Sequence, residues 1–546
     1  MKTSDSLKNM TLRQKVCQML LPAFRNWVPG GAGQIEPETM ALLLGEHQFG
    51  GIIVFDGNII DLKQISAFLE MVSNAASESG SEVPYFFAID QEGGRVSRLV
   101  GGTRLSGNMA LGAAGDEGLA FESAEVIGTE LSDVGFNLDF APDMDVNDNP
   151  ANPVIGVRSF SDDPQIVSKL GCSFMKGLQA HGVMAVAKHF PGHGNTVVDS
   201  HIGLPVVDKS LEELRKTELV PFEAATGIAD MIMTAHIQFP QIEKETYVSK
   251  ETGETVFLPA TLSRKIITGL LREGMGYDGV VVTDDMCMGA IARHFDPLDA
   301  AALAMNAGAD IILMPVNLST PEGFRAIDDY INGIVNLVEM GEIPNGRIDE
   351  SVERILALKK KYCTARKSMG ISDWRSHIPL RWRTAFKAVT MLKNKDGLLP
   401  LSGNEKVLVV CPSDFAYEAV GESLAFMLRS RIIPQYNRIE VRLEKEPCTL
   451  PKGYEVYVLI SEGRPKFEVP EDFGGRTVFI SAALPYDTAD ATSYDAVLAC
   501  YGYEGAQNLC ACVSAVFGTV RPSGKLPVDI PGSDGRIIWK RGFGLI

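Results

Sequence analysis

Between Lys188 and His201 the chain reads Lys-His-Phe-Pro-Gly-His-Gly-Asn-Thr-Val-Val-Asp-Ser-His, a stretch crowded with side chains that carry protons. Asp199 stands two residues before His201. At that spacing a carboxylate can fix one imidazole tautomer and tune its basicity. An unperturbed imidazole titrates near ~6.5, so His201 with Asp199 is the candidate general acid/base. The plainer alternative is a solvated ion pair on a loop. Lys188 and His189 are candidate donors to hydroxyl groups, set against a lysine buried beside a neutralising acid. A second centre is Asp284, at the end of the apolar run Val280-Val281-Val282-Thr283. It serves either as a nucleophile or as the N-cap of a helix that follows, and Asp285 fits a cap or supporting role. A carboxylate about 5 Å from an acid is the arrangement that cleaves a sugar–oxygen bond with retention of configuration.

Such groups need a frame. Short apolar runs recur at Cys17–Pro22, Gly51–Phe55, Tyr85–Asp90, Asn137–Ala141, Val183–Lys188, Met231–His236, Val280–Asp284 and Asp310–Met314. Amphipathic stretches separate them: Asp61–Ala76, Glu117–Val134, Pro164–Ala180, Leu211–Ala225 and Ser263–Glu273. Strands alternating with helices form right-handed crossovers and a parallel sheet. The runs are continuously apolar, as a sheet covered on both faces requires. Eight repeats predict an α/β protein with an N-terminal (β/α)8 barrel. Five of the runs lead to polar groups: Asp90 to Arg95, Asp143 and Asp145, Lys188-His189, His236, and Asp284-Asp285. In a parallel barrel all these ends face one side and converge on one cleft.

The predicted barrel spans residues 1–346 and a connecting helix and linker spans 347–383. A smaller α/β sandwich domain is expected over 384–546, opening with a helix at Thr384–Leu392 and with strands at Val407–Val410, Val456–Ile460, Thr477–Ser481 and Ala496–Cys500. Thr11 and Gln14 fit a capping box. A net charge of −18 over 546 residues argues against nucleic acid or an anionic membrane as partner. The polar start Met1–Met10 has no apolar signal region, which predicts a cytoplasmic protein, and the nine scattered cysteines read as reduced thiols. A monomer or weak oligomer is expected.

The motifs also resemble a known family. Asp90–Leu99 (DQEGGRVSRL) resembles the DQEGGRVxRL motif of the bacterial β-N-acetylglucosaminidases of glycoside hydrolase family 3. Ile155–Phe160 (IGVRSF) is similar to their IGxRSF, Lys188–Gly194 to their KHFPGHG, and Asp199–His201 to their DSH. Val282–Met286 looks like their nucleophile segment. Lys395–Leu401 (KDGLLPL) and Pro522–Pro527 (PSGKLP) resemble marks of the family's C-terminal domain, while Asn195 stands where many relatives have Asp. The resemblance implies an exo-acting enzyme that removes terminal β-linked N-acetylglucosamine from muropeptides or chitooligosaccharides, with no cofactor or metal. It implies Asp284 as nucleophile, Asp199 and His201 as the acid/base dyad, and Asp90, Arg98, Arg158, Lys188 and His189 as the binders of sugar hydroxyls. The family's β-glucosidases differ in using a glutamate from elsewhere in the chain.

Alternatives remain at this stage. A deprotonated imidazole, unlike a glutamate, does not repel phosphate, so phosphorolysis to a sugar 1-phosphate competes with hydrolysis. A metal-dependent barrel hydrolase would draw on His189, His193, Asp199, His201 and His236, but the first run ends Leu21-Pro22-Ala23-Phe24 without an H-x-H. A non-catalytic sugar sensor has no need of a nucleophile and an acid.

Overall fold

The computed structural model describes residues 7–200, 203–363, 371–433, 438–463, 467–468, 474–502 and 505–546. Eight strands carry the larger domain: β1 (Leu20–Ala23), β2 (Gly51–Ile53), β3 (Phe86–Ile89), β4 (Leu138–Asp139), β5 (Met184–Phe190), β6 (Met231–Thr234), β7 (Val280–Val282) and β8 (Ile312–Asn317). They neighbour one another in the order β7-β6-β5-β4-β3-β2-β1-β8. All these pairings are parallel. A parallel bridge between Val282 and Ile311 joins the two ends and closes the barrel. Every residue of β5 is buried, consistent with a strand covered on both faces.

The helices start where their sequences say they should. Asp61, Asp116 and Asp163 cap the helices Leu62–Glu78, Glu117–Val134 and Pro164–Ala180 by accepting from backbone N–H groups of the first turn. Gly135 and Gly308 end helices in the left-handed conformation that glycine adopts without strain. The capping box of Thr11 and Gln14 forms, and its helix Leu12–Gln18 takes up the beginning of the first predicted run, so β1 starts only at Leu20. The predicted helix Leu211–Ala225 is broken into Leu211–Leu214 and Leu219–Ala225. Pro221 lacks an N–H and fits the first turn of the second piece, where none is needed. The stretch Lys265–Gly274 winds as a π-type helix.

The smaller domain is built on a six-stranded sheet: β9 (Thr390–Asn394), β10 (Val407–Cys411), β11 (Ile439–Leu443), β12 (Val456–Ser461), β13 (Arg476–Ser481) and β14 (Ala496–Ala499). Their order is β9-β14-β13-β12-β10-β11, with β9 alone antiparallel to its neighbour. The helix expected at Thr384–Leu392 ends at Ala388, and Thr390–Asn394 is the edge strand β9. In β10, Val407, Val409 and Cys411 join one apolar cluster while Leu408 and Val410 join another. That alternation means both faces are covered. The first cluster packs under the helices Asp414–Arg429 and Ala506–Val516. The second includes Met109, Ala110 and Ala113, so the barrel domain's helix Asn108–Ala114 is buried against the smaller domain. The eight cysteines with described side chains are free thiols. No helix among the described residues is long and apolar enough to cross a membrane.

Candidate active site

The polar strand ends meet at the carboxyl-terminal mouth of the barrel. The local geometry of β5 is the first requirement. Ala187 pairs with Ile232 and Phe190 with Thr234, so Lys188 and His189 together face the single residue Met233. A bulge of this kind re-aims side chains that would otherwise alternate between faces. The strand therefore runs through Lys188-His189-Phe190 instead of stopping at the pair. Asp90 follows β3 directly, and the hairpin Gln91–Gly93/Val96–Ser97 places Glu92 beside it. Asp143 and Asp145 follow β4, His236 follows β6 and Asp284 follows β7. Arg158 closes a short 3-10 turn, Gly156–Arg158.

A dense network of charge fills the floor. The Lys188 ammonium contacts Asp90 at 2.9 Å and Glu92 at 2.7 Å. Arg158 binds Glu92 in a bidentate pair, Nη2 at 2.7 Å and Nε at 3.0 Å, and lies 3.5 Å from Asp143. Glu92 is buried, as are Lys188, Asp143 and Asp145, whereas Asp90 and Asp284 are only partly covered. Burial alone would raise the Glu92 carboxyl, but Arg158 and Lys188 outweigh it and hold it well below the usual carboxylate range. Burial would lower Lys188, and the two carboxylates reverse this, so it stays charged. Asp143 is pushed up to about 8 by burial and by Asp145, and is neutral at pH 7. For Asp284, burial pushes up while His189, His236, the Asp285 amide and Lys188 pull down, leaving the carboxyl at about 2. The Asp285 N–H donates to Asp284 Oδ1 at 2.8 Å. Asp284 is thus an anion at any physiological pH.

Two further histidines are held rigidly. His189 Nδ1 lies 2.7 Å from Asp145 Oδ2, and the backbone N–H groups of His189 and His193 both donate to Asp145 Oδ1. Burial keeps both imidazoles low, each at about 4, and both are neutral at pH 7. His193 Nε2 contacts Ser200 Oγ at 3.1 Å, and the Ser200 carbonyl accepts from the Ala290 N–H at 3.1 Å. Ser200 is therefore fixed on both sides, between Asp199 and His201 in the chain. His236 Nε2 donates to the Asp285 carbonyl at 2.9 Å, which ties this ring to the segment bearing Asp284. Asp143, Asp145 and His189 each bring one ligand atom within 4.8 Å of the others, a possible cation cluster. Asp145 uses both oxygens on His189 and His193, Asp143 Oδ1 accepts from the Asp145 N–H at 2.9 Å, and Arg158 supplies positive charge 3.5 Å from Asp143 Oδ2. The set fits a hydrogen-bonded support better than a metal site.

Of the residues singled out by sequence, Asp90, Arg158, Lys188, His189 and Asp284 come together in this network. The plain alternative for Lys188, a lysine buried among neutralising acids, is also true of it. Arg98 stands nearby in sequence, with its Nε buried and without a hydrogen-bond partner among the described residues. Asp199 is half-buried. His201 lies outside the described residues. Asp285 accepts from the Cys287 N–H and pairs with Arg25 at 3.3 Å, the supporting role expected of it. From the sequence, Glu92 and Asp145 have no role beyond membership of polar strand endings, and His193 is named only as a ligand in the metal alternative. Asp90 and Glu92 are two apart, hence on one face of an extended segment, and that spacing was a usable signal.

A closed parallel barrel with an ionised carboxylate and paired cations at its mouth is the frame that barrel glycoside hydrolases use. The family model for the glycosyl hydrolase family 3 N-terminal domain matches residues 11–358, and the chain belongs to that family. It is 33% identical to beta-hexosaminidase A of Pseudoalteromonas piscicida over 90% of this chain and 91% of that one. It is 32% identical to the beta-hexosaminidase LpqI of Mycobacterium tuberculosis, over 64% of this chain and 82% of the relative. Among solved structures, a glycoside hydrolase family 3 beta-N-acetylglucosaminidase from Paenibacillus sp. str. FPU-7 superposes with a TM-score of 0.77 at 32% identity, covering 95% of this chain and 99% of that one.

Proposed function

We propose that the protein is a retaining exo-β-N-acetylglucosaminidase acting on terminal β-linked N-acetylglucosamine of muropeptides or chitooligosaccharides. The observation that carries this reading is Asp284: a carboxylate held ionised at about 2, partly open at the barrel mouth and flanked by His189 and His236. Asp284 attacks the anomeric carbon as the glycosidic bond breaks, giving a covalent glycosyl ester. His201, paired with Asp199, protonates the departing oxygen, then takes a proton from the water that hydrolyses the ester. Asp90, Arg98, Arg158, Lys188 and His189 hold the sugar hydroxyls. Amino-sugar specificity is supported by the names of the similar proteins, a beta-hexosaminidase and a beta-N-acetylglucosaminidase.

The test is release of nitrophenol from 4-nitrophenyl N-acetyl-β-glucosaminide, with and without phosphate, with identification of the sugar product. Free N-acetylglucosamine in both conditions is expected. A sugar 1-phosphate that grows with phosphate would replace hydrolysis by phosphorolysis. Cleavage of the plain glucoside alone would overturn the amino-sugar assignment. Asp284→Asn should lower kcat by roughly four orders of magnitude in a folded protein. Turnover near wild type in that variant removes Asp284 from the nucleophile's role.

A further inference from the structure

The turn that ends in Arg158 is supported by the smaller domain. Asn147, a buried residue of the loop after β4, donates through Nδ2 to the Tyr486 hydroxyl at 2.7 Å. The carbonyl oxygen of the same side chain accepts from the Gly156 N–H at 3.2 Å. Gly156 opens the turn with a φ of +48°, and a Cβ built there would stand 3.1 Å from Leu484 Cδ2. Val157, the next residue, packs on the apolar cluster of the smaller domain together with Leu484 and Tyr486. Arg158 follows, and its carbonyl accepts from Asn108 Nδ2 at 2.7 Å. Asn108 begins the helix buried against that domain. A continuous set of contacts therefore leads from Tyr486 and Leu484 through Asn147 and Gly156 to the guanidinium that grips Glu92.

We propose that Tyr486 and Leu484 are positioning residues for Arg158, so that the smaller domain sets sugar affinity in a site to which it contributes no reacting group. This rests on the assignment of Arg158 to sugar binding under the proposed function. Tyr486 sits in a 3-10 segment, Pro485–Ala491, that follows β13, and its ring is half-buried in the interface. Its hydroxyl is the part that reaches the barrel domain. Tyr486→Phe keeps the ring in its cluster and removes only the acceptor for Asn147, stranding a buried amide N–H. The amide then turns away and releases Gly156, and Arg158 loses its fixed start.

The experiment is steady-state kinetics on 4-nitrophenyl N-acetyl-β-glucosaminide for the full chain, with Tyr486→Phe, Leu484→Ala, Arg158→Lys and the double variant Tyr486→Phe/Arg158→Lys. Thermal unfolding verifies that each is folded. Because Tyr486→Phe strands a buried donor, KM should rise roughly tenfold with kcat within about twofold of wild type. In the Arg158→Lys background the same substitution should add less than about twofold, because its effect passes through a group already lost. Leu484→Ala should raise KM in the same sense. An unchanged KM in Tyr486→Phe overturns the inference, as does a penalty that multiplies in full with that of Arg158→Lys, which is what a purely structural role would give. An inactive wild type would instead overturn the proposed function.

Discussion

Glu92 offers a demanding test of how the site is held together. It is the shared counter-charge of two cations, partly buried Arg158 in a bidentate pair of 2.7 and 3.0 Å and buried Lys188 at 2.7 Å. Glu92→Gln preserves the volume and one acceptor oxygen but deletes the charge. Removing one member of a buried ion pair costs ~3–5 kcal/mol. Lys188 keeps Asp90 at 2.9 Å, which favours the lower end, about 3 kcal/mol. At about 1.4 kcal/mol per tenfold change, kcat/KM should fall by about two orders of magnitude. The defect should depend on pH. Asp143 is pushed up to about 8 by burial, then by Asp145, with Glu92 contributing to the same upward push. Without Glu92 that push is lost and the Asp143 carboxyl moves down, so a carboxylate 3.5 Å from Arg158 forms at lower pH than in the wild type and substitutes in part. The loss should therefore be deepest near about pH 5 and recover in part toward about pH 8. The assay is kcat/KM for the nitrophenyl substrate across that range, with urea unfolding as the stability control. Activity within a factor of about two of wild type throughout, with an unchanged unfolding midpoint, would refute the idea that Glu92 orients the two cations.

Two further outcomes are expected. His201→Ala should cost a substrate with a poor leaving group at least about tenfold more than a nitrophenyl glycoside, because proton donation matters most for the worse leaving group; equal losses would take His201 out of the acid's role. His189 and His193 have folded pKa values of about 4, below the ~6.5 of an exposed imidazole. Their contribution to stability is thus present above about pH 6.5 and lost as pH falls through about 4, on the order of 3 kcal/mol for each ring. Asp143, raised to about 8, acts in the opposite sense: its contribution is full below about pH 4 and lost as pH rises through about 8. The comparison is accordingly made between wild type and His193→Gln. The gap between their urea midpoints should narrow from about pH 7 to about pH 5, and imidazole NMR signals of both rings should remain neutral to about pH 5. A constant gap, or signals titrating near ~6.5, would contradict the burial argument.

The amino-acid sequence by itself determined the barrel and the identity of most of the polar groups at its mouth. Continuous apolar runs such as Val280–Val282, alternating with capped amphipathic helices, have few ways to bury themselves other than a covered parallel sheet, and chain direction then sends every run's polar ending to one side. Local rules also located the cap at Thr11 and the helices that begin at Glu117 and Pro164, because capping and amphipathic spacing need only neighbours in the chain. Edges were less legible. Thr390–Asn394 has helical propensity enough to continue the helix before it, and only pairing with Ala496–Ala499 makes it a strand. What tertiary structure alone decided is who holds whom. The bulge opposite Met233 aims Lys188 and His189. Glu92 gathers Arg158 from 66 residues away, and Tyr486 supports Asn147 across 339 residues. Such partners leave no periodic trace, because a side chain's charge or hydroxyl carries no mark of the distant group it will meet, and their pKa values arise only when burial and neighbours act together.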